Sequence, residues 1–257
     1  MPDLSGQHGL VVGVANRRSI AWSIAQAAGA AGARLAVTYQ GERLEENVRE
    51  LSETLASPLV MPLDVTSDEQ IAGVAAAIDR EFGGLDFLVH GAAFAPKAEL
   101  DNPFVQTSRE GFRIALDVSA YSLIALTRAV APLMERRGGG SIVTLTYLGS
   151  QRVFTNYNVM GVAKAALEAS VRYLAGDLGP KNIRVNAISA GPLKTLAAMG
   201  IKDFSSIREV YAGRAPLRRN IEVGEVAGAA VFLLGPDSRG VTGEVLFVDA
   251  GYRIVGI

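Results

Sequence analysis

His8-Gly9-Leu10-Val11-Val12-Gly13-Val14-Ala15 is followed, after the turn Asn16-Arg17-Arg18, by Ser19-Ile20-Ala21-Trp22-Ser23-Ile24-Ala25-Gln26-Ala27-Ala28-Gly29-Ala30-Ala31-Gly32. The first stretch is short, apolar and β-branched, as expected of a strand buried on both faces of a parallel sheet. The second is alanine-rich, with Ser19 as a candidate N-cap and Gly32 as a candidate stop, so it reads as a helix. A strand running directly into a helix is the first half of a βαβ unit.

The same alternation continues to the end of the chain. Strands are expected at Arg34–Tyr39, Leu59–Val65, Leu85–Ala92, Ser141–Tyr147, Ile183–Ser189 and Glu244–Val248. Helices are expected at Glu42–Leu55, Asp68–Phe82, Arg109–Arg137, Tyr157–Leu178 and Val223–Leu234. The fold class that follows is α/β: a single Rossmann-type, doubly wound domain spanning residues 1–257, with a seven-stranded parallel sheet flanked by helices. Neither an internal repeat nor a linker divides it.

Composition narrows the partners. The chain has 257 residues, 49 % of them hydrophobic, and a formal charge of −1, which gives no electrostatic reason to expect a nucleic acid. It has no cysteine and only two histidines, His8 and His90, so thiol chemistry, disulfides and a histidine-rich metal site are not expected. The N-terminus shows no basic segment leading into an apolar one, and no apolar run is expected to reach membrane-span length. A cytoplasmic protein with no membrane partner is the expectation.

Two connections are long, Phe94–Ser108 after the fourth strand and Gly191–Asn220 after the sixth, the latter with a short helix expected near Asp203–Tyr211. Both leave the carboxyl ends of strands, where open α/β sheets bind ligands. Long loops in this place are commonly functional.

After the first strand the glycine pattern is incomplete: Gly13 can make the tight turn, but the second and third glycines of G-x-G-x-x-G are missing. The helix start at Ser19-Ile20 still offers free N–H groups to a pyrophosphate. Gln40 stands where an acidic residue usually holds the adenosine ribose, which favours NADH; Arg43 could instead meet a 2′-phosphate, which keeps NADPH as the alternative. Asp64-Val65 ends the third strand, and Asp64 serves either an adenine amino group or the next helix as a cap. Ala92, at the end of the fourth strand, is small enough to let a cofactor lie against the backbone.

Tyr147 precedes Tyr157-Asn158-Val159-Met160-Gly161-Val162-Ala163-Lys164. Seven residues on a helix turn through about 700°, so Tyr157 and Lys164 are expected on one helix face, the ammonium lowering the phenol pKa and the phenol donating to a developing oxyanion. The helix that follows carries apolar residues around most of its circumference, which suggests burial on a second side, as in a subunit interface.

Taken together these stretches resemble the enoyl-acyl-carrier-protein reductases, a divergent branch of the short-chain dehydrogenases/reductases. The similarity lies in Gly13-x5-Ser19-Ile20-Ala21, Thr38-Tyr39-Gln40, Phe94-Ala95-Pro96, Tyr147, Tyr157-x6-Lys164, the run Arg184 to Pro192 with Thr195, and Gly243-Glu244-Val245 with Val248-Asp249-Ala250-Gly251. It implies that Tyr157 hydrogen-bonds a thioester carbonyl, that Lys164 holds the nicotinamide ribose, and that Tyr147 acts as a gate or proton relay. It further implies a cofactor site formed by Gly13, Ser19, Ile20, Gln40, Asp64, Val65, Ala92, Leu193, Lys194, Thr195, Leu196 and Ala197, with Ala95 against the acyl group and 191–220 as the substrate loop. The partner it implies is an enoyl thioester on acyl carrier protein, and the assembly a homotetramer. Ala93 departs from the glycine frequent in the family at that place. Two other readings are a carbonyl or dienoyl reductase on the same scaffold, against which Met160 stands where that chemistry needs a tyrosine, and a dinucleotide-binding sensor, against which the Tyr157/Lys164 pair stands.

Overall fold

A computed structural model of the chain describes residues 3–195, 198 and 204–256. Seven strands form one sheet: β1 His8–Val12, β2 Arg34–Tyr39, β3 Leu59–Pro62, β4 Phe87–His90, β5 Gly140–Thr146, β6 Ile183–Ala190 and β7 Val245–Val248. Their order is β3-β2-β1-β4-β5-β6-β7, and every neighbouring pair is parallel. The order reverses between β1 and β4, the position at which a doubly wound sheet opens a crevice at its carboxyl edge.

The strands are apolar on both sides because both faces are covered. Leu10 and Val12 of β1, Leu88 of β4 and Ile142 of β5 enter one core, with residues of α3 (Asp68–Phe82), α6 (Ser122–Arg136) and α7 (Val159–Leu178). Val11, Phe87, Val89 and Val143, one residue out of phase, enter the other, with α1 (Ile20–Ala30), α2 (Glu45–Ser52) and α9 (Val223–Leu234). That alternation is the two-residue period of the strand placed between two helical layers.

The long helical segment from Arg109 is not one regular helix. It runs as α5, Arg109–Leu116, then a π turn at Asp117–Tyr121, then α6. An 18-residue window within Arg109–Arg136 has a mean hydropathy of 1.5, so this segment does have the length and composition of a membrane span, contrary to the sequence expectation. More than half of that window (56 %) is buried within the protein, and the segment's buried residues include Leu123, Leu126, Val130 and Met134, packed in the sheet's core. Apolarity here fills a core.

Residues 94–108, expected as a loop, contain α4 (Lys97–Asp101) and a 3-10 turn at Phe104–Gln106. The helix expected near Asp203–Tyr211 is α8, Phe204–Arg214, in its described part. The segment 42–55 is a 3-10 turn, Glu42–Leu44, followed by the short α2.

Candidate active site

A cleft of about 690 Å³ opens where β1 and β4 diverge. Its floor is backbone. Gly13 has φ +92°, and a Cβ there would stand 2.8 Å from the carbonyl carbon and oxygen of Gly91, so any side chain would be forced into the β4 end. Missing glycines further along the turn are replaced by another device. Ser19 sits at the N-cap position but its Oγ does not cap α1; it accepts instead from the N–H groups of Ala15 and Asn16, at 3.1 and 3.0 Å, and Asn47 Nδ2 donates to Ala15 O at 2.8 Å. The turn is thus held from both sides, and the start of α1 carries neither a side-chain cap nor an acidic residue. An anionic diphosphate fits such a terminus.

Of the residues expected to line the site, Gly13, Ser19, Ile20, Gln40, Val65, Ala92, Ala95, Tyr147, Tyr157, Lys164, Leu193 and Thr195 all border this cleft. Asp64 does not. Its Oδ1 accepts from the N–H and hydroxyl of Thr66, at 2.9 and 2.7 Å, while Ser67 caps α3 through Gln70 N–H. Lys194 borders a neighbouring hollow with Arg18 and Arg208 instead. Leu196 and Ala197 lie outside the described residues. Arg43 is exposed and takes no part in the cleft wall beside Gln40.

Tyr157 reaches the cleft by a route other than helical periodicity. The helix begins only at Val159, after Asn156 and Asn158, which both adopt left-handed φ (64° and 41°). Asparagine tolerates positive φ better than most residues, and two of them around Tyr157 break the helical spacing that would set Tyr157 and Lys164 on one helix face. The turn is tied down by Asn158 Nδ2, which donates to the carbonyls of Leu100 and Asn102 at 2.9 and 2.8 Å. Room for the ring comes from Gly149, where a Cβ would fall 2.4 Å from Tyr157 Cδ1.

Three phenols meet around Tyr157. Its ring lies edge-on to Tyr147, centroids 5.0 Å apart, and Tyr147 also packs on Phe154 at 5.0 Å. Tyr211 of α8 donates to the Tyr147 hydroxyl at 3.3 Å. Burial, followed by the neighbouring Tyr147 and Glu168, pushes the Tyr157 phenol well above the ordinary tyrosine range. The lowering expected from Lys164 is not found: every cause of the shift raises the phenol, burial most of all. Tyr157 remains protonated and able to donate.

Lys164 is itself buried, and burial brings its pKa down to about 8, opposed by Glu168. Its Nζ donates to Leu145 O at 2.8 Å, which uses one of the three N–H groups of an ammonium. The other two suit vicinal ribose hydroxyls. One helical turn on, the buried Glu168 accepts from Thr146 Oγ1 and Ser150 Oγ at 2.8 and 2.6 Å. It braces the backbone on both sides of Tyr147.

The π turn bulges toward the cleft, and Val118 borders it. Within the bulge Ser119 Oγ accepts from Phe94 N–H (2.9 Å) and donates to Phe94 O (3.1 Å), fixing the backbone just before Ala95. His90, fully enclosed, bridges Thr144 and Ser122 at 2.8 Å each; burial and then the charge of Lys164 bring its pKa to about 3, so it is neutral. Glu168, Ser119, Tyr211 and Tyr252 were not singled out from the sequence. Each acts through a contact distant in the chain and belongs to no short motif.

The comparisons agree with this arrangement. A family model described as enoyl-(acyl carrier protein) reductase matches residues 13–253. The NADH-type enoyl-acyl-carrier-protein reductase of Bacillus cereus is 54 % identical over 98 % of this chain and 99 % of its own, and that of Rickettsia prowazekii 52 % identical over 98 % and 96 %. Among solved structures, the Bacillus cereus reductase with NADP+ and an indole naphthyridinone has a TM-score of 0.97 at 53 % identity, covering all of both chains. The Anaplasma phagocytophilum reductase in complex with NAD has a TM-score of 0.95 at 46 % identity, over 100 % of this chain and 98 % of that one. On these grounds the chain belongs to the enoyl-acyl-carrier-protein reductase family.

Proposed function

We propose that this chain is an NADH-dependent reductase of fatty-acid synthesis, saturating the carbon–carbon double bond of a trans-2-enoyl thioester carried on acyl carrier protein. NADH, when bound, supplies the hydride that arrives at the β-carbon. The residues of the cleft do the rest. Gly13 and the open start of α1 receive the diphosphate, Gln40 the adenosine ribose, and the two free N–H groups of Lys164 the nicotinamide ribose. Tyr157 donates to the thioester carbonyl and stabilises the enolate oxygen as charge builds there, a contribution for which a protonated, desolvated phenol is suited. Protonation at the α-carbon then completes the saturated acyl thioester. Ala95 and Met160 border the place where the acyl chain lies.

The observation that carries this reading is the pair of phenols in the cleft wall, Tyr147 and Tyr157, with Met160 beside them. A carbonyl reductase would need its tyrosine where Met160 stands. The choice of NADH is supported by the absence of a cation among the cleft residues Thr38, Tyr39, Gln40 and Leu44; the NADP+ bound by the Bacillus cereus relative keeps NADPH in view as a weaker donor. A cytoplasmic location and a homotetramer belong to the same proposal. The assembly is supported by exposed Phe112, Tyr121 and Tyr173 on α5, the π turn and α7, and light scattering of the purified protein tests it.

The experiment is a spectrophotometric assay of reduced nicotinamide with a trans-2-enoyl thioester and, separately, a 3-ketoacyl thioester. Consumption with the first alone supports enoyl reduction. Consumption with the second alone indicates a carbonyl reductase, and binding without turnover a sensor.

A further inference from the structure

We propose that Tyr211 is a positioning residue for Tyr147: it fixes that hydroxyl so that the Tyr147 proton is offered into the cleft, to a thioester substrate or a water beside it. The inference rests on the enoyl-thioester reading above. Tyr211 lies on α8 yet is 2 % exposed, the most enclosed side chain of a helix otherwise half-buried or open. Its ring stacks on Tyr252, centroids 3.6 Å apart and planes 14° from parallel, with Phe154 at 6.2 Å.

The base beneath that stack is rigid. Asp249 accepts from Gly251 and Arg253 N–H at 2.9 and 2.8 Å, and the Arg152 guanidinium donates to the carbonyls of Arg253 and Val255 at 2.6 and 3.0 Å. Residues 249–255 are thereby bound to the segment following Tyr147. Tyr211 is delivered from this platform with its hydroxyl 3.3 Å from that of Tyr147.

The chemistry follows from counting protons. Phe154 and Tyr157 clamp the ring of Tyr147 on two sides, so its free coordinate is the hydroxyl torsion. A phenol has one proton to give. Tyr211 gives its own to Tyr147, so the Tyr147 proton has no partner in Tyr211 and, among the described residues, no other protein acceptor. It turns toward the cleft. At 3.3 Å the bond is long for a hydroxyl pair, so its effect is orientation more than binding energy.

The variant Tyr211→Phe keeps the stack on Tyr252 and removes only the hydroxyl. With carbon-13 placed at Cζ of tyrosine, the Tyr147 resonance of the cofactor-free protein, identified by its loss in Tyr147→Phe, shifts in Tyr211→Phe. In the enoyl-thioester assay kcat falls about three- to tenfold, the size of one neutral hydrogen bond. The NADH dissociation constant is unchanged, and the fall disappears when Tyr147→Phe is already present. An unmoved resonance overturns the hydrogen bond. An unchanged kcat, or an equal loss in both backgrounds, overturns the positioning role. A wild type without turnover on the enoyl thioester sinks the reading of the cleft and this substrate role with it, while the resonance still reports on the bond.

Discussion

The ring of Tyr157 meets the ring of Tyr147 edge-on, their centroids 5.0 Å apart and their planes inclined by 66°. The contact joins two segments of different origin, the turn before α7 and the end of β5, and it brings both hydroxyl-bearing rings to one wall of the cleft. Burial is the largest cause of both pKa shifts, upward in each case. The site is built to donate hydrogen bonds from neutral phenols.

Tyr157→Phe removes the donor and keeps the ring. Turnover on an enoyl thioester should fall by about a hundredfold or more, the usual effect of losing one oxyanion donor. NADH affinity should be unchanged, since the hydroxyl serves the substrate. Fluorescence titration of NADH beside steady-state kinetics checks both halves, and undiminished turnover would remove Tyr157 from the chemistry.

The charge of Lys164 sets a pH dependence. Burial lowers its pKa from 10.5 to about 8, so in the cofactor-free protein the ammonium is lost as pH rises through that value. NADH affinity should therefore weaken above about pH 8, and Lys164→Ala should bind NADH more weakly at neutral pH without that dependence. The stability term has the opposite slope. Between about 8 and 10.5 the unfolded chain holds a proton that the folded chain has released, so this residue's destabilising effect fades as pH rises through that window. A pH series of NADH titrations and thermal melts on both proteins reads the two signs.

Gly149→Ala tests the space under Tyr157. The new methyl would fall 2.4 Å from the ring, which must swing away from its present place. A displaced donor costs rate steeply, so kcat should drop on the order of ten- to a hundredfold. NADH binding should survive, because the cofactor's own residues are untouched. Kinetics and a titration on the same preparation decide it.

Gln40→Arg addresses cofactor choice. The wild type should bind NADH more tightly than NADPH. A guanidinium at the exposed end of β2 should narrow that preference by about three- to tenfold through a charge-assisted bond to the 2′-phosphate. An unaltered ratio of the two dissociation constants would place the ribose elsewhere.

Much of the architecture was legible because local signals agreed with the final packing. Asp68–Phe82 and Val223–Leu234 were read at their observed limits, one opened by the Ser67 cap and the other by a Glu222/Glu225 capping box. That the sheet is parallel, doubly wound and seven-stranded follows from the alternation of strands and helices, whereas its order, β3-β2-β1-β4-β5-β6-β7, is seen only in the structure. The break at Asp117–Tyr121 was invisible: apolar periodicity continues through it, and the bulge is fixed by Ser119 and Ser122 reaching back to Phe94 and Val118. Tyr157 lines the same cleft as Lys164, but not through helical spacing: Asn156 and Asn158, both with positive φ, stand on either side of it and the helix starts only at Val159. For Asp64 the structure settles the local role alone: Oδ1 holds Thr66, Ser67 and not Asp64 caps α3, and the second carboxylate oxygen is left to accept from a ligand. Glu168, Tyr211 and Tyr252 matter through distant partners, and a single sequence does not reveal which distant residues meet.

The central claim is tested most directly by following the hydride. NADH bearing deuterium at its reactive nicotinamide carbon is turned over with a trans-2-enoyl thioester, and the product is analysed by NMR and mass spectrometry. The account predicts a saturated acyl thioester with deuterium on the β-carbon and a solvent hydrogen on the α-carbon. An unsaturated substrate recovered intact, or deuterium found on a carbinol carbon instead, would contradict it.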